Sequence, residues 1–171
     1  MEILIKVTLP IITAIVLWFL KASKERSTIG LAIFAEINAI CEIAEERSYL
    51  KGLKDQAEVL RNREEGDDSS YALQVKVPDH YCRLYINNLD AIGKLDADEA
   101  ALVVRFYQFV DSVVQDITEG GCLAAGVDEP DSFDETITIF EKALAAADQL
   151  RAVRAAKAEQ PWYRKLLRMI A

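Results

Sequence analysis

The first twenty residues constrain this chain more than any other stretch, because the run from Ile3 to Leu20 is almost entirely apolar. Eighteen helical residues cover about 27 Å at 1.5 Å each, close to the hydrocarbon thickness of a thin bilayer. The run therefore predicts a single transmembrane helix. The side chains expected to anchor it are Ile3, Leu9, Ile12, Val16, Trp18 and Leu20.

A cleaved signal peptide is the alternative interpretation of this run. Such a peptide has basic residues before its apolar stretch and small residues at a cleavage site after it. Here Lys21, Lys24 and Arg26 follow the apolar stretch, and the exit at Leu20 is a poor cleavage context. The order favours a retained anchor, and the positive-inside rule then predicts that the rest of the chain is cytoplasmic.

Charge is segregated along the chain. Residues 27–150 contain ten Lys or Arg against twenty-five Asp or Glu, a net of minus fifteen, whereas residues 1–26 (four against two) and 151–171 (six against one) are basic. Nucleic acids are bound through cations that neutralise phosphates, so the acidic body argues against a nucleic-acid partner. The basic ends are the parts that an anionic lipid surface would attract.

The C-terminal tail repeats the membrane signal in a shorter form. After Pro161 it combines two aromatic residues, three cations and several large apolar residues, which is the composition of an interfacial helix. A last helix that packs on the domain explains the pattern equally well. The expected membrane-surface residues are Lys21, Lys24, Arg26, Trp162, Tyr163, Arg164, Lys165 and Arg168.

Apolar spacing between the two ends predicts helices. A stripe at three- and four-residue intervals predicts one long helix from about Thr28 to Asn62, with Gly30 as the weak point if it continues the span. A polar loop follows over 63–76, Pro78 is expected to open a short helix, and Gly93 to end it. Tyr71 to Val77 is the one candidate strand, and it is short.

Capping patterns predict the last two helices. Asp96 with Glu99 resembles a capping box, and Ser132 with Glu135 forms a full one after Pro130. The predicted fold is all-α: a single N-terminal transmembrane helix, then an antiparallel helical bundle with a short amphipathic C-terminal helix. The expected division is an anchor with its basic flank at 1–26, an acidic bundle at 27–158 and a basic tail at 159–171.

No pattern in the chain predicts catalysis. The cysteines Cys41, Cys82 and Cys122 are far apart and predict reduced, mostly buried thiols. His80 and Cys82 lack a second ligand pair for zinc, and the acidic loop 64–68 lacks the ligand spacing of a calcium loop. We therefore expect no enzyme activity and no catalytic, cofactor-binding or metal-binding residue.

The segment Tyr85-Ile-Asn-Asn-Leu-Asp-Ala-Ile-Gly-Lys-Leu95, followed by Val103-Val-Arg-Phe-Tyr107, resembles a pattern in small uncharacterised bacterial and prophage single-span membrane proteins. The resemblance implies the same architecture, with a cytosolic helical region, and agrees with a bacterial inner membrane. It implies no activity. Physically, a hydrophobic helix corner is expected from Tyr85, Ile92, Gly93, Leu95, Phe106 and Tyr107, with Gly93 at the tight exit.

The sequence thus predicts a membrane-anchored interaction or regulatory module that presents an acidic cytosolic bundle to a protein partner. The alternative is a subunit of a homo- or hetero-oligomeric transmembrane assembly that is coupled through its single span. The expected partners are the lipid bilayer and a protein of unknown identity, with association of several copies left open and nucleic acid excluded.

Overall fold

The computed structural model describes residues 2–64, 66–67 and 69–159, with side chains from residue 13 onward except that of Arg26. These residues form helices α1 (Glu2–Glu46), α2 (Tyr49–Arg61), α3 (Arg83–Asn87), α4 (Leu89–Ile92), α5 (Ala97–Ile117), α6 (Cys122–Ala125) and α7 (Asp131–Ala158). Within the described ranges there is no strand, only an isolated bridge between Tyr71 and Val127. The prediction of an all-helical protein with an apolar N-terminal helix is confirmed.

The apolar N-terminus and the first part of the body form one helix, because α1 continues without interruption for 45 residues. Gly30 does not break it. This glycine is buried, and a Cβ at its position would come within 3.2 Å of the side chains of Arg154 and Leu95. The absent side chain therefore permits a close approach of α7 and the α4–α5 connection to α1.

The long helix predicted over 28–62 is wrong at its centre, where the chain breaks between α1 and α2. Ser48 has the left-handed conformation (φ 54°, ψ 35°), which stops α1 and restarts the helix in a new orientation. The buried stripe of α1 ends at Ala44 and that of α2 begins at Leu53, nine residues later. Nine residues at about 100° each amount to two and a half turns, so in a straight helix Leu53 would lie on the face opposite Ala44. A straight helix could therefore bury the stripe of α1 or the stripe of α2, but not both.

The candidate strand over 71–77 is an extended segment that lies on helix ends instead of in a sheet. Three alternate amides donate to carbonyls of the fold: Tyr71 N to Val127 O at 2.9 Å, Leu73 N to Leu123 O at 2.8 Å and Val75 N to Ile117 O at 2.8 Å. The side chains of these three residues are half-buried and the intervening ones are exposed. The alternation therefore reflects one face against the helices and one in solvent.

Two predicted helix starts are also wrong. Pro78 opens a turn, in which its carbonyl accepts the Tyr81 amide at 3.1 Å, and α3 begins only at Arg83. The capping box at Ser132 does not form, because α7 already begins at Asp131 with Pro130 in helical conformation as its N-cap, and no side chain caps it. Proline is preorganised for the first positions of a helix, so it displaces the start by one or two residues.

The core lies between α5 and α7, which make the most extensive helix pairing, with α2 packed on α7 and α1 closing one side. The largest side chains with less than 2% exposure are Tyr107, Phe106, Phe133, Ile33, Ile37, Leu53, Leu123 and Leu150. Burial of each contributes about 1.5 to 3 kcal/mol. Among the cysteines, Cys41 and Cys82 are buried and free, whereas Cys122 is free and exposed.

Candidate functional site

The exposed apolar end of α1 is the first feature with a functional meaning. Its six consecutive large side chains from residue 15 to 20 are between 40% and 67% exposed: Ile15, Val16, Leu17, Trp18, Phe19 and Leu20. Six residues at about 100° each pass all the way round a helix, so no side of this segment is covered. By length and composition, α1 is the one helix in the described part of the chain that is apolar enough to cross a membrane.

The remaining predicted membrane residues divide between described and undescribed parts of the chain. Val16, Trp18 and Leu20 belong to the exposed set above, and Ile3, Leu9 and Ile12 lie on α1 as part of its backbone. Lys21 and Lys24 are exposed on the next turns of α1, and Arg26 lies on the same helix. The tail residues Trp162, Tyr163, Arg164, Lys165 and Arg168 lie outside the described residues.

Arg154 on α7 holds α1 at the level where the body begins. Its Nη1 donates to the Gly30 carbonyl at 3.0 Å, and its guanidinium lies 4.8 Å from the centroid of the Phe34 ring. The close approach at Gly30, described above, is what allows both contacts. A half-buried guanidinium over an aromatic ring contributes about 0.5 to 2 kcal/mol. We name Arg154, Gly30 and Phe34 the α1 clasp.

A second set of charges connects the end of α7 to the start of α5. Lys157 forms ion pairs with Asp96 and, at 3.1 Å, with Glu99. Asp96 is the N-cap residue of α5, as predicted, but its carboxylate turns to Lys157 and makes no side-chain cap bond. In the connection between α4 and α5, Lys94 reaches Glu25 of α1 at 3.8 Å. These pairs surround the α1 clasp.

Glu36 joins α1 to α3 and α5 through three hydrogen bonds. Its carboxylate accepts the amides of Leu84 at 2.7 Å and Tyr85 at 2.9 Å, and the Tyr107 hydroxyl at 2.7 Å. The two amides belong to the first turn of α3, whose own N-cap residue Cys82 makes no side-chain cap bond. A carboxylate from another helix therefore supplies the missing cap. We name this arrangement the Glu36 cap.

Aromatic residues complete the surroundings of the Glu36 cap. Tyr85 stacks on Tyr107 with ring centroids 3.9 Å apart, and Phe106 meets Tyr107 edge-on at 5.3 Å. Burial, reinforced by the hydrogen bond to Glu36, raises the pKa of the Tyr107 hydroxyl. Burial and the hydrogen bond to Asp111 likewise raise the pKa of Tyr81. Both hydroxyls therefore stay protonated and act as donors.

The predicted helix-corner residues occupy different environments. Ile92 and Leu95 are buried at 8% and 7% exposure, Phe106 and Tyr107 at 1% and 0%, and Tyr85 is half-buried. Gly93 is exposed in ordinary right-handed conformation (φ −62°), and a Cβ there would meet nothing within 4 Å. The exit after α4 therefore does not need glycine. Sequence reasoning missed Glu36, since its partners lie 48 to 71 residues away.

A groove opens at the break between α1 and α2. It has a volume of about 630 Å³ and lies over the middle of α7. Apolar side chains, chiefly Leu50, Phe140 and Leu144, form its floor, and charged side chains form its rim. In the described part of the chain, no cluster of three or more His, Cys, Asp or Glu side chains is arranged to hold a metal ion. The expectations of no metal, no cofactor and no catalysis stay predictions.

Comparison of the chain with protein-family models, with curated proteins and with solved structures yields no match. The resemblance of the segment 85–107 to small single-span proteins stays a prediction.

Proposed function

We propose that this protein is a membrane-anchored interaction module, in which α1 crosses a bilayer once and holds an acidic helical body in the cytoplasm for a protein partner. The module performs no catalysis in this proposal. One observation carries it: α1 is exposed and apolar on every side over 15–20, and the same helix is fully buried at Ile33 and Ile37. Ile33 and Ile37 are buried by packing against the helical body. The exposed apolar segment 15–20 requires an apolar surrounding, such as the interior of a bilayer.

The arrangement of the body that we propose is an antiparallel bundle. Along α5 and α7, the start of one helix contacts the end of the other: Lys157 pairs with Asp96, and Thr136 donates to Asp116 at 2.9 Å. The order of contacts along α1 and α7 is also reversed, since Arg154 meets Gly30 and Arg151 meets Asn38. This order of contacts supports helices that run in opposite directions.

The distribution of charge supports the proposed orientation and the kind of partner. Lys21 and Lys24 are exposed just after the apolar segment, where the positive-inside rule expects cytoplasmic cations. The body beyond them carries a net of minus fifteen over 27–150. Such a body is repelled by anionic headgroups and attracts basic surfaces, so a basic protein partner is favoured over a lipid surface.

A second proposal is a subunit of an oligomeric transmembrane assembly, homo- or hetero-oligomeric, coupled through its span. The observation that favours it is the continuity of α1, because an uninterrupted helix transmits a movement of the span directly to Ile33 and Ile37. A crosslink between spans that survives removal of residues 27–171 and depends on concentration would favour this assembly. A monomer in detergent would favour the single module.

The anchor is tested by fractionation. Replacing Ile12 and Val16 together by Arg costs about 5 to 7 kcal/mol of insertion free energy, so the variant is expected in the soluble fraction after alkaline carbonate extraction. The matched control replaces Val59 and Leu84, two exposed apolar residues of the body, by Arg and should stay in the membrane fraction.

The proposed topology is tested separately. A reporter fused after Ala171 should be active only in the cytoplasm. Periplasmic activity, or a double variant that stays with the membrane, contradicts the proposal.

A further inference from the structure

The groove at the break between α1 and α2, which we name the kink groove, is a concave surface on the body. It exists because Ser48 turns the chain at the point where the buried stripe changes sides. The last turn of α1 and the first turn of α2 therefore leave part of α7 uncovered. Its volume of about 630 Å³ lies within the range of about 300 to 1,000 Å³ that is typical of binding pockets.

The floor of the kink groove is apolar and only partly filled. Leu50 and Leu144 are half-buried, and Phe140 is buried. Cys41 and Ala44 complete the apolar lining from the α1 side. Two leucines that face a groove and remain in contact with water favour an apolar occupant.

The charged side chains at the rim of the kink groove have a net negative charge. Its three cations are already paired within the fold: Lys51 with Asp55 at 3.5 Å, Lys54 with Glu141 at 2.6 Å and Arg151 with Asp148 at 2.6 Å. Glu42 and Glu45 stand exposed on one turn of α1 at the same rim, and neither forms an ion pair with a described residue. The rim charges that have no ion-pair partner among the described residues are therefore the carboxylates of Glu42 and Glu45.

We propose that the kink groove binds a cationic amphipathic helix of a partner protein, with apolar side chains of that helix on Leu50 and Leu144 and its Lys or Arg side chains beside Glu42 and Glu45. This inference rests on the proposed function and specifies the partner's chemistry. An apolar floor flanked by like charges is the complement of a helix that carries large apolar residues on one face and cations at its edges.

Position along α1 excludes a lipid as the occupant. From Leu20, where the apolar segment ends, to Glu42 there are 22 residues of uninterrupted helix, which is about 33 Å at 1.5 Å per residue. The polar headgroup layer is only about 5 to 8 Å thick on each side of the hydrocarbon. The kink groove therefore lies well beyond the headgroups, among cytosolic proteins.

The experiment uses the full-length protein in nanodiscs of phosphatidylcholine. The probe is a labelled synthetic 14-residue peptide of leucine and lysine with leucine at helical spacing, and the comparison peptide has the same composition in scrambled order. Binding is followed by fluorescence anisotropy, and empty nanodiscs provide the background. The rim variant combines Glu42→Lys with Glu45→Lys and so reverses two negative charges at the rim. The loop variant combines Asp128→Lys with Glu129→Lys and makes the same charge change on the loop before α7.

We expect the rim variant to weaken binding of the amphipathic peptide about tenfold and the loop variant to weaken it less than about threefold. Leu144→Asn should weaken it similarly to the rim variant, whereas Leu84→Asn on α3 should not. Equal losses for the rim and loop variants, or equal binding of the scrambled peptide, would mean simple attraction to an acidic body and would overturn the proposal.

Two other occupants give distinct results, and each overturns the proposal. Removal of residues 160–171 that raises peptide affinity about tenfold identifies the chain's own tail as the occupant. Peptide affinity that is about tenfold lower in nanodiscs holding two copies of the protein than in nanodiscs holding one identifies a second copy. Failure of the membrane anchor would appear separately, in the carbonate extraction described above, because every variant in the peptide measurement keeps the apolar run from Ile3 to Leu20 unchanged.

Discussion

The Glu36 cap provides the most specific quantitative prediction, because one side chain satisfies three donors on two other elements. Glu36→Ala leaves two amides of α3 without their cap, which costs about 1 kcal/mol, within the range measured for N-cap removal. It also leaves the hydroxyl of the fully buried Tyr107 without its acceptor, which costs about 2 kcal/mol. The expected loss is therefore about 3 kcal/mol.

Amide hydrogen exchange of the segment 83–95, in the full-length protein in nanodiscs, measures this loss locally. A destabilisation of about 3 kcal/mol accelerates exchange about 100-fold, since each 1.4 kcal/mol corresponds to a factor of ten. Glu36→Gln keeps one acceptor oxygen in place and should fall between the wild type and Glu36→Ala. The matched control is Glu42→Ala, which removes an exposed glutamate six residues further along the same helix and should cost less than about 0.5 kcal/mol.

A double-mutant cycle decides whether the cap works as described. Tyr107→Phe removes the hydroxyl that Glu36 accepts, so adding it to Glu36→Ala should relieve part of the cost. The coupling free energy is expected to be about 1 kcal/mol or more. If Glu36→Ala behaves like the Glu42→Ala control, or if the two changes are additive, the three-donor cap is refuted.

Further predictions concern the backbone, the clasp and the tyrosines. Gly52 is helical, and a Cβ at its position would meet nothing within 4 Å. Gly52→Ala should therefore raise the free energy of unfolding by about 1 kcal/mol in urea denaturation. Gly121→Ala should lower the free energy of unfolding, because its Cβ would come within 2.0 Å of a backbone carbonyl oxygen. Arg154→Ala should cost about 1 to 3 kcal/mol in the same assay, and a cost near zero would contradict the α1 clasp. Because the pKa values of Tyr81 and Tyr107 are raised in the folded protein, the unfolded chain releases these two protons at a lower pH than the folded protein does. The stability that they contribute is therefore retained below about pH 10 and lost above it. Absorbance at about 295 nm should show that both tyrosines ionise only when the protein unfolds.

The helix content of this fold is readable from the sequence because apolar periodicity is a local signal. The break at Ser48 also has a signal in the sequence, although the expectation of one helix from Thr28 to Asn62 overlooks it. The stripe skips from Ala44 to Leu53, and nine residues amount to about two and a half helical turns. A gap of that length places Leu53 on the face opposite Ala44, so it indicates a break in the helix.

The helix starts show why local capping patterns mislead. Ser132 has the correct residue three positions later for a capping box, yet α7 begins before it because Pro130 already has helical dihedral angles. Asp96 occupies the predicted N-cap position, but its carboxylate pairs with Lys157 and makes no side-chain cap bond. In the first case a preceding proline moves the helix start, and in the second a distant lysine binds the carboxylate that would cap the helix, so only the three-dimensional arrangement shows which contact forms.

The Glu36 cap could not be predicted from the sequence, for a different reason. Glutamates on an exposed face of an amphipathic helix look alike, and nothing in the spacing around Glu36 separates it from Glu42. Its partners follow a loop and an extended segment whose path depends on amides that bond to helix ends. Long-range polar contacts of this kind have no period in the sequence, so they can be read only from the fold.

Continuity of α1 has a consequence for any membrane role of this protein. One helix carries both the exposed apolar segment at 15–20 and the buried residues Ile33 and Ile37. Rotating α1 by one residue, about 100°, would take both isoleucines out of the core at a cost of about 3 to 6 kcal/mol. The body therefore determines which face of the apolar segment points toward a neighbouring helix. By reciprocity, a neighbour that prefers a different face of that segment must loosen α1 from the body by the same free energy, and the α1 clasp is the contact that such a neighbour would have to break.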